Sequence, residues 1–324
     1  MLVFIINRII QSMIVIFLTS IVIFAGIFDI GNPVDLLLDS RATFEEMEQI
    51  KANLGLDKPF WEQYYIFLKS AVNGDFGHSY IYNVPAMQLI FQRLPATLEL
   101  AFISLILSIF IGIPVGVVAG IYSKNIFSKC VMFLSVLGFS LPSFWVGLML
   151  IMVFSISFGW LPSFGRGETI SLFGIEWSIF TLDGLKHIIM PALNLSLFGI
   201  AFVIRLSRAG IIEIIHQDYI KFAHAKGLKN SRVMFVYILK NIMIPIVTVL
   251  GMEFGLILAF AVVTETVFAW PGIGKLLIDS INLLDRPVVV SYIMMTVFIF
   301  LIINLIVDLI YSVLDPRVRI IIND

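Results

Sequence analysis

Six long, almost charge-free runs of apolar residues dominate the sequence. Each run is close to the length of about 20 residues that an α-helix needs to cross the hydrocarbon of a bilayer. Hydrocarbon offers the backbone no hydrogen-bond partners, so each run is expected to cross as a helix. The sequence therefore predicts an all-α, polytopic membrane helix bundle with six spans. The predicted spans are Ile9–Phe28, Leu100–Ser123, Cys130–Phe158, His187–Ile204, Asn241–Thr264 (interrupted by Glu253) and Pro287–Val307.

The composition supports a membrane protein. Of the 324 residues, 60% are hydrophobic and 13% are charged, whereas about 25% are charged in a typical soluble domain. This balance predicts a lipid bilayer as the environment of the chain. The formal net charge of −1 does not indicate a nucleic-acid partner, and neither does any dense Lys/Arg tract, so no nucleic acid is expected. The single cysteine, Cys130, excludes an internal disulfide framework and a multi-cysteine metal site.

The first run follows Arg8 and superficially resembles a secretory signal peptide. It is longer than the 7–15 apolar residues, roughly, of such signals, and no clear small-x-small cleavage site follows it. We therefore interpret Ile9–Phe28 as a retained first span.

The distribution of basic residues predicts the orientation. With the N-terminus inside, twelve of the 21 Lys and Arg residues fall on the short inner segments, as positive-inside asymmetry requires. Both termini and the loop 205–240 are then cytoplasmic, and the long segment 29–98 is extracytoplasmic. The twelve are Arg8, Lys124, Lys129, Arg205, Arg208, Lys221, Lys226, Lys229, Arg232, Lys240, Arg317 and Arg319.

The outer segment 29–98 carries local structure signals. Thr43 and Glu46 have the spacing of a capping box that opens a short helix. An aromatic helix around Tyr64 and Tyr65 is expected to rest at the membrane interface. Since no repeat, linker or low-complexity segment is visible, residues 1–324 are predicted to form a single transmembrane domain.

Prolines and small residues occur inside the predicted spans, at Pro114, Pro142, Pro191 and Pro245 and in the segment 112–116. Each proline removes a helix hydrogen bond, and the Gly112-x-x-x-Gly116 spacing allows helices to approach closely. Plain helix packing and hinges of a moving transporter both explain this pattern.

The loop 205–240 is unusually polar for a connection between spans. Asp218 is expected to cap a helix over Tyr219–Lys226, which Gly227 ends at the C′ position. Ser231 is expected to cap a second helix from Arg232 towards Lys240, making a two-helix knob. On this knob Ala223 and Ala225 would keep one side slim enough to enter a groove. A solvated loop that simply obeys the charge rule is the alternative.

This loop and several other motifs resemble the permeases of ABC importers, in particular the B-type subunit of the dipeptide/oligopeptide/nickel group. The resemblance covers essentially the whole chain, in order. The motifs are Leu54-Gly-Leu-Asp-Lys-Pro, Gly74-Asp-Phe-Gly77, Pro95-Ala-Thr-Leu-Glu-Leu100, Ala223-x-Ala225-Lys226-Gly227-Leu228 with Asn241 and Pro245, Thr264–Gly274, and Asn304 with Asp308, Tyr311 and Asp315-Pro316-Arg317-x-Arg319.

Two motifs depart from the family pattern. Lys221-Phe222-Ala223 stands where the wider family has Glu-Ala-Ala, and the interval from Gly227 to Pro245 is long. The peptide-type subgroup tolerates both features. Ile30-Gly31-Asn32-Pro33 stands where the family usually has Pro-Gly-Asp-Pro. This chain therefore lacks the aspartate for any role that it has in the family.

The resemblance implies a transport subunit in the bacterial cytoplasmic (inner) membrane. Residues Ala223, Ala225, Lys226, Gly227 and Leu228 would insert into a groove of an ATP-hydrolysing subunit and couple its movements to the spans. The implied partners are a homologous second permease, two ATPase subunits and an extracytoplasmic substrate-binding protein. ATP would be used by those partners, with no cofactor in this chain. Dipeptides or oligopeptides are the expected cargo, with nickel or a chelated metal as the alternative.

No catalytic residue is predicted. Gly272-Ile-Gly-Lys275-Leu lacks the spacing and the hydroxyl of a P-loop, and no Gly-x-Ser-x-Gly or His-Glu-x-x-His motif of a membrane enzyme occurs. A secondary carrier should show two related halves, and none is visible.

Two carboxylates near membrane depth are candidates for the pathway. Glu253, within the fifth span, could serve a pathway or subunit interface, or could be a locally hydrogen-bonded packing residue. Glu265, at the outer end of that span, is the better candidate for a gate. The histidines lack metal-ligand spacing and are interpreted as structural or surface residues; they are His78, His187, His216 and His224.

Overall fold

The computed structural model describes residues 2–28, 48 and 57–314. The Thr43/Glu46 capping box, the segments 30–33 and 54–56 and the motif 315–319 lie outside the described residues. In chain order the helices are α1 Leu2–Phe28, α2 Phe60–Val72, α3 Ala86–Ile121, α4 Ile126–Ser140, α5 Ser143–Leu150, α6 Leu182–Ile214, α7 Asp218–Ala225, α8 Asn230–Arg232, α9 Lys240–Val267, α10 Ile273–Asn282 and α11 Arg286–Leu314. Two π-helical segments, π1 Ile151–Ser157 and π2 Val233–Leu239, continue α5 and α8.

A short antiparallel hairpin is the sheet in the described part of the chain. Strand β1 (Ile170–Leu172) pairs with β2 (Ile175–Trp177), and Leu172 faces Ile175 in the register. Phe173 and Gly174 form its two-residue turn with φ of 56° and 77°, as a type I′ turn requires.

The prediction of a helical membrane bundle is confirmed. Five helical stretches of the described chain are long and apolar enough to span a bilayer. They are Ile6–Gly26, Ala86–Ile121, Leu182–Ile214, Pro245–Val267 and Arg286–Asp308.

The prediction that the third span, Cys130–Phe158, is one continuous helix is wrong. The chain bends by 107° between Ile126–Ser140 and Ser143–Ser157. Pro142 causes the break, because a residue before proline avoids the helical conformation, and Leu141 is extended at φ −79° and ψ 135°. Each arm is only about 22 Å long at 1.5 Å per residue, shorter than a hydrocarbon core of about 30 Å. Six crossings therefore require the two arms to form one broken span.

The second and fourth spanning helices are longer than the charge-free runs that predicted them. Helix α3 has 36 residues and begins at Ala86 rather than Leu100, and α6 has 33 residues. At about 1.5 Å per residue each extends roughly 50 Å, so their ends project beyond the hydrocarbon. Charged residues end an apolar run, but they do not end a helix.

The chain divides into two compact units. The first comprises Met1–Thr97 and Pro271–Leu301. In its described part, Ile23 of α1 packs with Val289 and Val290 of α11 and with Phe67 of α2. The predicted aromatic helix is present as α2. The hydroxyl of its Tyr64 lies 2.8 Å from the hydroxyl of Ser20 in α1.

The second unit comprises Leu98–Trp270 and Ile302–Asp324. Within it, α3 and α6 approach each other closely. A Cβ atom on Gly112 would lie 2.8 Å from Val203 Cβ, and one on Gly116 would lie 2.7 Å from the carbonyl oxygen of Ile204. Because these distances leave no room for a side chain, the predicted close approach at Gly112 and Gly116 is confirmed.

Candidate functional site

Helix α7 is the core of the predicted knob. It begins at Asp218, with Gln217 as the N-cap residue in an extended conformation. Asp218 is therefore the first helical residue and not the cap, which corrects the prediction. Lys221 Nζ donates to Asp218 Oδ1 at 2.8 Å and lowers the pKa of that carboxyl. The negative charge in the first turn suits the positive end of the helix dipole.

The end of α7 is a Schellman motif. The Gly227 N–H donates to the His224 carbonyl at 2.9 Å, and the Leu228 N–H donates to the Ala223 carbonyl at 3.3 Å. Gly227 has φ +72°, a left-handed conformation that is costly for residues with a Cβ atom. The prediction that Gly227 occupies the C′ position is confirmed.

One face of α7 is buried in the protein itself. Ile220 and Ala223 are 1% and 3% exposed and pack in a core cluster with Ile211 of α6, Val233 of π2 and Ile242 of α9. Leu228 packs against the same cluster. Ala223 and Ala225 therefore do not share a slim outer side, as had been expected, since Ala223 anchors the helix and Ala225 is exposed.

The opposite face of α7 is free in the described structure and is partly apolar. The Phe222 ring is 61% exposed, and Lys226 Nζ lies 4.6 Å from its centroid. Ala225 and Gly227 are also exposed, and no atom lies within 4 Å of the place that a Cβ on Gly227 would take. The exposed Phe222 was not singled out as a site residue from sequence, although its place in the motif was noted.

The second predicted helix of the knob is different in the structure. It begins at Asn230 with Lys229 as N-cap, so Ser231 is not a cap. It runs without a break through α8 and π2 into α9, which is a spanning helix. The side-chain amide of Asn241 donates to the Tyr237 carbonyl at 2.7 Å and to the Tyr219 hydroxyl at 3.3 Å. Helix α7 is thus attached to the base of a continuous helix that reaches Val267.

Glu253 lies in the wall of a cavity of about 270 Å³ within the second unit. It is 4% exposed, and Asn194 of α6, which is 3% exposed, lines the same cavity. Glu265 is fully buried and is not among the described residues that line this cavity. The structure therefore does not bring the two candidate carboxylates into one site.

A buried ion pair that the sequence analysis missed joins α3 to the segment before α6. Arg166 Nη2 and Nε donate to Glu99 Oε2 at 2.6 and 3.0 Å. The backbone N–H groups of Ser178 and Ile179 donate to Glu99 Oε1 at 2.7 and 2.9 Å. Glu99 is 2% exposed. Its position just before the apolar run that begins at Leu100 was the available signal.

The histidines do not come together. His187 Nδ1 lies 2.8 Å from the Asp183 carbonyl, and His78 forms an isolated β-bridge with Pro85. Within the described part of the chain, no group of three or more His, Cys, Asp or Glu side chains is placed to hold a metal ion.

The chain matches two sequence families along its length. Residues 112–320 match the binding-protein-dependent transport system inner membrane component, and residues 1–101 match the N-terminal part of such membrane components.

Close relatives of known name cover nearly all of the chain. The dipeptide transport system permease protein DppB of Escherichia coli K12 is 38% identical over 305 residues, which cover 89% of this chain and 90% of the relative. The oligopeptide transport system permease protein AppB of Bacillus subtilis is 37% identical over 293 residues, with the same two coverages of 89% and 90%. The glutathione transport system permease protein GsiC of E. coli K12 is 33% identical over 320 residues, or 98% of this chain and 99% of the relative.

Among solved structures, a chain of the MetNI methionine ABC transporter in inward-facing conformations is similar. The TM-score is 0.52 at 16% identity, over 71% of this chain and 97% of that chain. At this identity the likeness concerns the fold alone, and it confirms the predicted ABC-importer permease architecture. The family matches over both parts of the sequence, with relatives at 33–38% identity, show that this chain belongs to the inner membrane components of binding-protein-dependent transport systems.

Proposed function

We propose that this chain is the permease subunit of an ATP-driven importer of dipeptides or oligopeptides, and that it forms half of the translocation pathway. The relatives named for dipeptides, oligopeptides and glutathione support a peptide cargo, because each of these is a short peptide and the similarity extends over at least 89% of this chain. None of these three names points to nickel. A second, homologous permease completes the pathway, and a separate extracytoplasmic protein delivers the cargo.

The coupling to ATP hydrolysis passes through α7. The observation that carries this proposal is the division of α7 into two faces, one anchored by Ile220 and Ala223 and the other exposing Phe222, Lys226 and Gly227. A rigid helix that presents an aromatic ring beside small residues suits an apolar groove on a partner. Because α7 packs on π2 and α9, a push on its exposed face is transmitted to a spanning helix.

The coupling residues are therefore Ala225, Lys226 and Gly227 in contact with the ATPase subunit, with Ala223 and Leu228 holding α7 on its own core. Two ATPase subunits, one for each permease, bind and hydrolyse the ATP, and this chain contributes no catalytic group. Glu265, buried where α9 ends, belongs to the gate region.

The orientation follows from the basic residues. The segment containing α7 faces the cytoplasm together with both termini, and the segment 29–98 faces outward. With the bent pair α4 and α5 counted as one broken crossing, six crossings return the chain to its starting side. Residues 1–324 together form a single permease domain in the bacterial inner membrane.

Uptake competition tests the cargo. The complete transporter is reconstituted in liposomes with its binding protein, and uptake of radiolabelled alanyl-alanine is measured against unlabelled dipeptide, pentapeptide and Ni²⁺. We expect the peptides to compete and Ni²⁺ to have no effect. ATP-dependent accumulation of Ni²⁺ without peptide uptake would replace the peptide assignment by the metal one.

A further inference from the structure

The cavity that contains Glu253 lies entirely in the second unit, between the α4–α5 bend, α6 and α9. Its wall is mainly apolar, with Phe139, Leu141, Leu195, Phe198, Leu256 and Phe260 among the lining residues. Of the wall residues, Phe198 and Phe260 are 45% and 65% exposed on this chain. A volume of about 270 Å³ holds several waters at about 30 Å³ each, or a small organic group.

Two residues of the cavity wall each carry a buried acceptor atom that has no hydrogen-bond partner in the described structure. These atoms are Glu253 Oε2 and Asn194 Oδ1. The other end of the Asn194 amide is engaged, because Nδ2 donates to Thr264 Oγ1 at 3.0 Å, and this bond leaves the amide oxygen as the free end. An unpaired carboxylate oxygen and an unpaired amide oxygen are costly within a membrane-spanning helix, and such groups usually mark a ligand or ion path.

The position of the carboxylate is built into the packing. A Cβ atom on Gly199 of α6 would overlap Glu253 Oε1 and would also crowd the Ser108 hydroxyl. A glycine at this place is therefore what allows the glutamate to fit between α6 and α3. Glu253 also lies eight residues after Pro245, or about 12 Å along the helix, which puts it well inside the span.

The chemistry of the free atoms specifies the ligand. Both are acceptors, so each is complementary to an N–H donor, and positive charge suits the carboxylate. None of the described residues that line the cavity is a lysine or an arginine. The apolar wall around the two acceptors favours a cation that is attached to apolar atoms.

We propose that Glu253 and Asn194 form a subsite that receives the free α-ammonium group of a peptide during its passage through the membrane. Glu253 Oε2 accepts one ammonium N–H and Asn194 Oδ1 accepts another. The aromatic and leucine side chains of the wall contact the first side chain of the peptide without selecting its identity. This subsite rests on the proposed function as a peptide permease and names the group of the cargo that the membrane domain recognises.

The test compares two cargoes in the complete reconstituted transporter. Uptake of alanyl-alanine, which has a free ammonium group, is measured beside uptake of N-formyl-alanyl-alanine, which has none. The ratio of the two rates is determined for the wild type, Glu253→Gln and the control Leu256→Met. The preference of the binding protein is the same in all three and cancels when the ratios are compared. Co-elution of the subunits and basal ATP hydrolysis show that each variant is assembled.

The ratio is expected to fall about tenfold or more in Glu253→Gln, because the ammonium group would then bond to a neutral amide oxygen in place of a carboxylate, and to stay unchanged in Leu256→Met. Asn194→Ala removes the other acceptor. If Glu253→Gln does not assemble, the same ratio measured in Asn194→Ala tests the subsite, and it is expected to fall there too. Where the wild type excludes the formyl peptide, uptake of the free-amine peptide by Glu253→Gln should fall towards the formyl level.

Two results overturn the subsite. An unchanged ratio in the assembled Glu253→Gln variant, or equal losses for both cargoes, assigns Glu253 to packing and leaves the peptide function intact. A wild-type transporter that carries neither peptide removes the peptide function itself, and the subsite with it.

Discussion

Gly227→Glu is expected to abolish substrate-stimulated ATP hydrolysis and uptake, while the chain still inserts into the membrane. Two physical effects combine. A residue with a Cβ atom at φ +72° costs about 1–2 kcal/mol, which loosens the Schellman end of α7. In addition, a charged side chain would project from an exposed position with open space around it, where the ATPase subunit is proposed to bind. The measurement is ATPase stimulation by loaded binding protein in liposomes.

Two control substitutions separate these effects. Gly227→Asn tolerates a positive φ but still adds a side chain, so a loss of coupling in this variant isolates the close approach of the partner. Gly174→Glu makes the same chemical change at an exposed glycine with φ +77° in the β1–β2 turn, and it should leave coupling intact. Wild-type uptake by Gly227→Glu would remove α7 from the coupling path.

Glu99→Ala is expected to be the most destabilising substitution considered. It leaves the Arg166 guanidinium, whose side chain is 11% exposed, and the N–H groups of Ser178 and Ile179 without their carboxylate. Breaking a buried ion pair in this way costs about 3–5 kcal/mol in free energy of unfolding. The midpoint of thermal unfolding in detergent should fall by roughly 10 °C, given about 2–4 °C per kcal/mol for a chain of moderate size.

A neighbouring exposed glutamate supplies the comparison. Glu176 Oε2 accepts a hydrogen bond from Thr169 Oγ1 at 2.6 Å on the surface of the hairpin, so Glu176→Ala should change the midpoint little. In the double variant Glu99→Ala/Arg166→Met, part of the loss should be recovered, since no buried charge is left unpaired. Equal midpoints for Glu99→Ala and Glu176→Ala would contradict the structural role of the pair.

The spanning helices were predictable because hydrophobicity over about 20 residues is a strong signal. Their ends were not, since the helix α3 continues through Arg93 and Glu99 to Ala86, and Glu99 is compensated by a residue 67 positions away. The bend at Pro142 was equally hidden. Pro191 and Pro245 lie inside continuous helices, whereas Pro142 separates two, and only tertiary packing distinguishes these cases.

Within the candidate site, glycine was the most informative residue. The need for a left-handed conformation at a helix end is local, so Gly227 was placed correctly. The burial of Ala223 was not predictable, because a helix of eight residues has too few positions to show which face is covered. Glu253 and Asn194 line one cavity because the chain brings α6 and α9 together across α7 and π2, and no spacing in the sequence indicates this.

The composition of the native complex tests the central claim most directly. The chain is tagged, extracted gently from the membranes of the source cells, and purified with the proteins that accompany it. We predict that a homologous second permease and two ATPase subunits co-purify with it, and that the complex transports peptide only with ATP and binding protein. A lone chain that transports peptide without ATPase subunits would contradict the account.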